Sequence, residues 1–269
     1  MTSNNITVII PIHKYDTGIS DMLIKALESI NTQIEIELFP DVLIVYTPDI
    51  ETDVRNFIKV INTEAKYKFQ IGTMINESGK SDFQTQVNIG AKGIQTGFFS
   101  ILEFDDEYSN NYFKLLFNYI KAYPKVDIFL PIMVEVNSNN QAIKLTNELV
   151  WSQQFVGENG EVGFLNTTTL EQYTDFKISG AVIKTQEYLN IGGLKSNIKL
   201  TFNLEFLLRA LNNAFKIYTM PKIGYKHLSD RPDSLNDHYI KTMPLEERKY
   251  WFETAKRESN FATDRAIGV

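Results

Sequence analysis

Four of the five residues from 103 to 107 are acids, and they follow directly on an apolar run. Residues 98–107 read FFSILEFDDE, with the acids at Glu103, Asp105, Asp106 and Glu107. A buried strand that stops in clustered carboxylates delivers charge into a crevice at its C-terminal end. On a strand, residues two apart share a face, so Glu103 and Asp105 are expected to point the same way. Two carboxylates on one face suit Mg²⁺ or Mn²⁺.

A plain acidic turn is the competing interpretation of this cluster. Asp106, Ser109 and Asn110 are all residue types that cap helix N-termini, and a helix is predicted to follow them. Acid clusters are often no more than this, so the rest of the chain has to decide between a turn and a metal site.

The chain before the acids alternates strands with helices. Apolar runs predict strands at 6–11, 41–46, 67–72 and 98–104, and helical spacing predicts helices at 19–33, 50–63 and 82–96. This alternation is typical of an α/β fold with a Rossmann-like, mostly parallel sheet flanked by helices. Ligands bind outside the carboxyl ends of such strands, so the turns that follow them are expected to converge on one crevice.

In the second half of the chain, strands and helices alternate less regularly, and a long polar stretch interrupts them. The pattern predicts a helix at 109–122, strands at 126–136, 176–183 and 215–219, and helices at 202–213 and 244–258. Residues 137–175 are polar and predict an irregular excursion, including a small antiparallel hairpin. The sequence shows no repeat and no linker, which predicts a single domain over 1–269.

Composition narrows the classes of protein. The chain has 269 residues, 27 basic and 33 acidic, for a net charge of −6, which argues against nucleic acid as a partner. It has no cysteine, which excludes disulfides and thiolate chemistry. The N-terminus lacks the basic region of a signal peptide and no apolar run approaches a transmembrane segment, so a cytoplasmic location is the default expectation.

Several familiar site motifs are absent from the sequence. It contains neither the GxGxxG of dinucleotide-binding folds nor the GxxxxGK[ST] of a P-loop. HExxH and GxSxG are also absent. These absences turn attention back to the acidic stretch.

Five segments, taken together, resemble the inverting family 2 glycosyltransferases of GT-A fold. They are VIIPIHKYD (8–16), QVNIGAKGIQTGFFSILEFDDE (86–107), ISGAVIKTQEYLNIGGL (178–194), FNLEFLLRALNNAFKIYTMP (202–221) and IGYKHLSDRPDSL (223–235). They are similar to that family's opening strand, its Asn-x-Gly helix and DxD strand, its Gly-Gly turn, its acceptor-side helix and its late His/Arg segment. Each motif alone is weak, but five in the family's order are fairly specific.

The resemblance implies a GT-A domain in which 1–136 bind the nucleotide sugar, 137–243 form the acceptor side, and 244–269 form a C-terminal helix and tail. It implies transfer, with inversion, from a UDP- or GDP-linked sugar to a hydroxyl of a glycan, lipid or protein acceptor. Such transfer needs a base for the acceptor proton and a cation, Mn²⁺ or Mg²⁺, for the leaving diphosphate.

The resemblance also assigns residues. Asp105, Glu103 and His227 are expected at the metal. The nucleotide sugar is expected to contact Pro11, Ile12, His13, Tyr46, Asp49, Lys80, Asn88, Glu103, Phe104 and Arg231. Tyr46 could stack on the base and Asp49 could supply a carboxylate, while Lys80 or Arg231 would meet the phosphates.

One departure bears on catalysis. The family's catalytic aspartate falls on Asn203, whose amide cannot accept a proton, which leaves Glu205 as the nearest carboxylate. Glu205 is the candidate base, with an Arg209-paired surface acid as the alternative. Two other functions stay open: a catalytically silent nucleotide- or sugar-binding module, and, more distantly, a nucleotidyltransferase, whose usual Gly-rich, Arg-containing loop is missing after the first strand.

Overall fold

A computed structural model describes residues 5–63, 67–148, 163–229, 231, 239 and 241–265. The strands are β1 (Ile6–Ile12), β2 (Asp41–Tyr46), β3 (Ile71–Ile75), β4 (Phe98–Ile101), β5 (Glu107–Tyr108), β6 (Ile128–Val136), β7 (Ala142–Thr146), β8 (Val182–Lys184) and β9 (Ile217–Leu228). The helices are α1 (Thr17–Asn31), α2 (Glu51–Thr63), α3 (Phe83–Gly93), α4 (Tyr112–Ala122), α5 (Thr167–Gln172), α6 (Thr185–Asn190), α7 (Phe202–Asn212) and α8 (Leu245–Glu258).

Across the described residues, these strands form one mixed sheet in the order β3-β2-β1-β4-β8-β6-β9-β5, with β7 added beside β6. The first four strands of the chain pair in parallel, as does β6 with β9. In contrast, β5, β7 and β8 pair antiparallel with their neighbours. The predicted α/β class, with a parallel part of the sheet and an antiparallel extension, is confirmed.

Strand β1 shows why a largely apolar run is needed at the centre of the sheet. Its residues are buried along the whole strand. Val8, Ile10 and Ile12 pack into one apolar cluster, and Ile9 packs into a second. Because side chains alternate along a strand, the two clusters lie on opposite faces of the sheet. Residues of α1, α2 and α4 fill the first cluster and residues of α3, α6 and α7 fill the second.

The strand predicted at 67–72 is observed at Ile71–Ile75, and two other differences in strand boundaries shape the site. Strand β4 ends at Ile101 rather than 104. Strand β8 begins only at Val182, because Gly180 before it adopts a left-handed backbone with φ of 73°. A Cβ at Gly180 would lie 2.4 Å from Cδ2 of Tyr225, so the turn requires glycine.

Strand β9 is much longer than the predicted 215–219 and reaches Leu228. Pro221 and Gly224 are residue types that favour a turn, but the register with β6 shifts beside Pro131 and the pairing then continues. The extension places His227 opposite Glu135 at the carboxyl end of β6.

A hairpin is present, but only its second strand, β7, belongs to the polar excursion; β7 pairs antiparallel with β6 before it, and the short helix α5 comes later in the excursion. Residues 149–162 of the excursion, with Trp151 and Phe155, lie outside the described residues. Among the helices described, none combines the length and apolarity needed to cross a membrane.

Candidate active site

The acidic stretch forms a turn after β4 rather than an extension of it. The N–H of Leu102 still donates to the carbonyl of Ile9 at 3.0 Å, but the N–H of Asp106 then donates back to the carbonyl of Glu103 at 3.1 Å. The expected sharing of one strand face by Glu103 and Asp105 is therefore wrong. The turn brings Glu103 and Asp106 together instead.

Asp106 is the carboxylate at the centre of the cluster. It is 1% exposed and accepts the N–H of Leu228 at 2.9 Å. Nδ1 of His227 lies 2.9 Å from its Oδ2 and 3.1 Å from its Oδ1. The last residues of β9 thus fix this carboxylate from two sides, one through the backbone and one through an imidazole.

Glu103 completes the cluster. Its Oε1 accepts a 2.5 Å hydrogen bond from the hydroxyl of Ser179, and its N–H donates to the hydroxyl of Tyr225 at 3.1 Å. One potential ligand atom from each of Glu103, Asp106 and His227 lies within 4.8 Å of the others. Among the described residues, this is the group of carboxylates and imidazole that could hold a metal ion.

Burial and mutual repulsion disfavour the charged forms of the acids in and beside this cluster. Burial raises the pKa of Glu103, and the charge of Asp106 raises it further. Burial likewise raises the pKa of Asp105 to about 7, with added contributions from Asp106 and Glu103. Burial alone would lower the pKa of His227, but the Asp106 and Glu103 carboxylates outweigh it and raise that pKa to about 9. Such clustered acids are stabilised by a cation.

Asp105, predicted as a metal ligand, belongs to a different arrangement. Its Oδ2 lies 3.3 Å from Nε of Arg231. The guanidinium of Arg231 lies over the Phe104 ring, 4.8 Å from the ring centroid, and the His13 ring meets Phe104 edge-on at 6.4 Å. Loss of solvent, followed by the charges of Lys14 and Arg231, lowers the pKa of His13. Three predicted nucleotide-sugar residues, Arg231, Phe104 and His13, therefore do lie together beside the acids.

The residues predicted at the base end of the site are mostly buried. Pro11 and Ile12 pair with Val45 and Tyr46 of β2, and their side chains are inside the fold. Ile12 packs in the core, so its side chain is not available for the predicted contact with a nucleotide sugar. Asp49 is exposed in a 3₁₀ turn, Pro48–Ile50, directly after β2.

The Tyr46 prediction is wrong. The side chain is 0% exposed, and its hydroxyl finds no hydrogen-bond partner among the described residues. A ring enclosed in the core presents no face on which a base could stack.

Asn88 is a structural residue rather than a ligand-binding one. Its Nδ2 donates to the carbonyl of Leu194 at 2.7 Å. Its Oδ1 accepts the N–H of Leu194 at 2.8 Å and the hydroxyl of Tyr188 at 2.5 Å. The amide therefore ties α3 to the Gly192-Gly193 turn, which corrects its predicted role. Lys80 is exposed and donates to the hydroxyl of Ser196 at 3.1 Å. Ser196 is not among the residues described above as contacting Glu103, Asp106 or His227.

Glu205 cannot serve as the catalytic base from where it lies. It is 0% exposed, and its oxygens accept from Nε and Nη2 of Arg209 at 2.7 and 3.1 Å. Nζ of Lys195 lies 3.0 Å from the same carboxylate and also donates to the carbonyl of Glu258 at 2.6 Å. The Arg209 pairing expected as the alternative is present, but the pair is buried rather than at the surface. A carboxylate held by two buried cations positions elements and does not accept a proton from a substrate.

Asn203 lies in the first turn of α7 and remains near the site. Its Oδ1 accepts the N–H of Ile178 at 3.3 Å. Ile178 directly precedes Ser179, the residue that binds Glu103. Asn203 therefore anchors the loop that holds one of the cluster's acids.

Sequence reasoning missed Asp106 as a central residue and Ser179 altogether. The signal for Asp106 was its spacing of three from Glu103, which brings side chains together in a turn but separates them on a strand. No comparable signal marked Ser179, because its place depends on the left-handed Gly180 beside it.

Comparison with known proteins addresses the fold. No protein-family model and no curated protein matches the sequence. Among solved structures, Staphylococcus aureus TarS 1–349 in complex with UDP-GlcNAc matches with a TM-score of 0.65 at 16% identity, over 93% of this chain and 65% of that chain. The chain has the GT-A fold.

Two further TarS structures agree with this match. TarS 1–349 in complex with UDP gives a TM-score of 0.59 at 15% identity, over 95% of this chain and 80% of that one. A longer TarS structure gives 0.57 at 15% identity, over 96% of this chain and 44% of that one. The chain thus spans less than half of that longer protein.

Proposed function

We propose that this protein is a metal-dependent glycosyltransferase that moves a sugar from a nucleoside-diphosphate sugar to an acceptor hydroxyl with inversion. The observation that carries the proposal is the cluster of Glu103, Asp106 and His227 at the carboxyl ends of β4 and β9 in a GT-A fold. Two of the TarS structures contain UDP-GlcNAc or UDP, which favours a UDP-linked donor over a GDP-linked one. The acceptor hydroxyl belongs, in this proposal, to a glycan, a lipid or a protein.

The potential ligand atoms of Glu103, Asp106 and His227 fit a divalent cation, and their types favour Mn²⁺. Two carboxylates supply oxygen ligands and His227 supplies a nitrogen, a mixture that suits Mn²⁺ better than the oxygen-preferring Mg²⁺. When bound there, the ion would neutralise charge on the leaving nucleoside diphosphate. Ser179 and the N–H of Leu228 hold the two carboxylates in place.

Arg231 supplies a second positive charge next to the metal site. It lies between Asp105 and the Phe104 ring, close to the carboxyl end of β1. From this position its guanidinium can bind a phosphate of the donor, and we expect Asp49, His13 and the backbone of Ile12, which lie at or just after the ends of β1 and β2, to contact the nucleoside. Arginine is suited to this task because its planar fork binds phosphate oxygens in pairs.

A second function is favoured by the segment where the catalytic base is expected. That segment offers the amide of Asn203 and the enclosed carboxylate of Glu205. A protein with the same cluster but without a base would bind the nucleotide sugar and not turn it over. The two proposals make the same binding prediction and differ in catalysis.

One assay separates them. The protein is incubated with Mn²⁺ and a panel of UDP- and GDP-sugars, and release of nucleoside diphosphate is measured for wild type, Asp106→Asn and Glu107→Gln. Glu107 is the matched control, because it is the adjacent acid in the sequence but pairs with Lys226 on β9. We expect release by wild type and by Glu107→Gln, and at least a hundredfold less by Asp106→Asn, about 3 kcal/mol in the barrier.

The other outcomes are equally informative. Calorimetric binding of UDP with Mn²⁺ but no release with any donor would establish the silent module, and Asn203→Asp then tests whether restoring a carboxylate gives turnover. If the protein neither binds UDP nor releases nucleoside diphosphate from any donor, both proposals are refuted. Where product accumulates, the anomeric configuration of its new linkage, read by NMR, tests inversion.

A further inference from the structure

A cavity separate from the acid cluster lies between α1 and α2. It has a volume of about 370 Å³ and is lined by Tyr15, Ser20, Ile24, Asp53, Asn56, Phe57, Val60, Ile61 and Tyr67. This volume is at the lower end of the ~300–1,000 Å³ typical of small-molecule pockets, so the cavity suits one or two small rings. None of the three residues of the metal cluster lines it.

The lining combines aromatic rings with uncharged hydrogen-bonding groups and one acid. The rings of Tyr15 and Phe57 meet edge-on, with centroids 6.1 Å apart, and the ring of Tyr67 stacks on Phe69. The hydroxyl of Tyr15 hydrogen-bonds with Ser20. Ring faces give apolar contact area with little loss of conformational freedom, and their neighbours offer partners for hydroxyl groups.

The charges around the cavity exclude one class of ligand. Asp53, in the first turn of α2, contributes a carboxylate, and the described lining contains no Lys or Arg. A phosphate or carboxylate ligand would meet an acid there with no cation to offset it. A neutral ligand rich in hydroxyls finds acceptors in Asp53 and Asn56, and Ser20 lies close by.

Val60 adds an apolar surface at the rim. It is 59% exposed, whereas Phe57 and Ile61, its neighbours on the same helix, are 8% and 6% exposed. A sugar ring has one apolar face of C–H groups and an edge of hydroxyls, which matches an apolar wall bordered by an amide and a carboxylate.

We propose that the cavity between α1 and α2 is a binding site for a neutral sugar ring of a glycan chain, distinct from the donor site. The proposal rests on the proposed function, since it takes the glycan to be the acceptor or product of the transferase. Tyr15 follows β1 by three residues and His13 by two, so the cavity adjoins the loop on which the donor site is built. A glycan held there would be kept near the reacting centre between transfers, which raises its effective concentration.

The first test locates binding without any substitution. The protein is prepared with ¹³C-labelled Ile and Val methyl groups, loaded with UDP and Mn²⁺, and titrated with the methyl glycosides of glucose, galactose, mannose and N-acetylglucosamine. We expect at least one glycoside to shift the methyl resonances of Val60, Ile61 and Ile24 while UDP stays bound. Shifts confined to residues of β1 or β4, or no shifts with any of the four, would overturn the proposal.

The second test uses a matched pair of variants on one helix. Asn56→Ala removes an amide from the cavity, and Asn62→Ala removes the same group from α2 where it lines a different cavity with Arg55 and Lys59. We expect the first to weaken glycoside binding about fivefold, the equivalent of one hydrogen bond, and the second to leave it unchanged. Equal effects of the two variants would overturn the proposal.

Two further arms distinguish a sugar from a cation and the second site from the donor site. Tetramethylammonium is titrated as well, because aromatic rings beside a carboxylate also suit a quaternary ammonium ion, and preference for this cation over every glycoside would overturn the proposal. UDP binding is recorded in the same samples. Its failure would count against the proposed function, whereas failure of the glycosides alone would remove only the second site.

Discussion

Replacing Asp106 by asparagine should change the charge state of His227. The imidazole is largely buried, with 15% of the side chain exposed, and burial by itself disfavours its charged form. The Asp106 carboxylate, 2.9 Å from Nδ1, is the largest influence that opposes burial. Asparagine keeps the size and one acceptor oxygen but removes the charge. We therefore expect the pKa of His227 in the metal-free protein to fall from about 9 by about 1 pH unit or more.

The size of the effect follows from the pKa of His227. A pKa of about 9 in place of 6.5 corresponds to roughly 3 kcal/mol in favour of the imidazolium, at about 1.4 kcal/mol for each tenfold change. Because the pKa is raised by folding, this stabilisation is present below pH 6.5 and is lost as the pH rises through about 9. Asp105 contributes in another window, since its raised pKa costs stability as the pH rises from 3.8 to about 7. The loss of stability from His227 between pH 7 and 9 therefore lies above the window of Asp105.

Two measurements on metal-free protein check this expectation. The chain has three histidines, so imidazole NMR signals are few enough to follow through a titration, with His227→Gln used for assignment. Denaturant unfolding at pH 7 and pH 9 should show wild type losing on the order of 1–3 kcal/mol that Asp106→Asn does not lose. Glu107→Gln serves as the control and should behave as wild type. If the pKa of His227 stays near 9 in Asp106→Asn, Asp106 is not the group that holds the proton there.

Three other perturbations have defined outcomes. Mn²⁺ binding should release a proton from His227, so the affinity of the protein for Mn²⁺ should rise between pH 7 and 9. Calorimetry in buffers of different ionisation enthalpy should detect the released proton, and an affinity independent of pH would contradict ligation by this imidazole. Gly180→Ala should destabilise the fold by about 1–3 kcal/mol in denaturant unfolding, because its new Cβ would collide with Tyr225 at a left-handed backbone; an unchanged midpoint would show that the turn is not constrained as described. Glu205→Gln should cost about 3–5 kcal/mol of stability by leaving two buried cations short of their partner, whereas the exposed Glu253→Gln should cost nearly nothing; lost turnover at unchanged stability would instead restore Glu205 as the base.

The fold was largely predictable because its signals are local. The runs at β1 and β2 are apolar on both faces, and the intervening helix carries its apolar residues at helical spacing, so both element type and parallel pairing follow from pattern. The pattern failed where backbone geometry overrides propensity. Gly180 delays β8 through its left-handed conformation, and the register shift beside Pro131 carries β9 through Pro221.

The sequence predicted where the candidate site lies but not all of the residues that form it. The acids after β4 and the imidazole of His227 were found by residue type and by resemblance. Asp105 was predicted as the partner of Glu103 because the two-residue alternation of a strand was continued to residue 104. Since β4 ends at Ile101, the chain turns and Asp106 takes that place. The role of Asn88 depends on Leu194, which lies 106 residues away, and the burial of Glu205 depends on Lys195 in the loop before α7; no local pattern contains either partner.

The ammonium of Lys195 has a consequence for shortened versions of the chain. It is buried between the carboxylate of Glu205 and the carbonyl of Glu258, the last residue of α8. A version cut before Glu258 would leave this charge with a vacant hydrogen-bonding direction in the interior, and the disturbance would pass directly to α7. The end of α8 is therefore a lower limit for trimming, set by a lysine more than sixty residues earlier in the sequence.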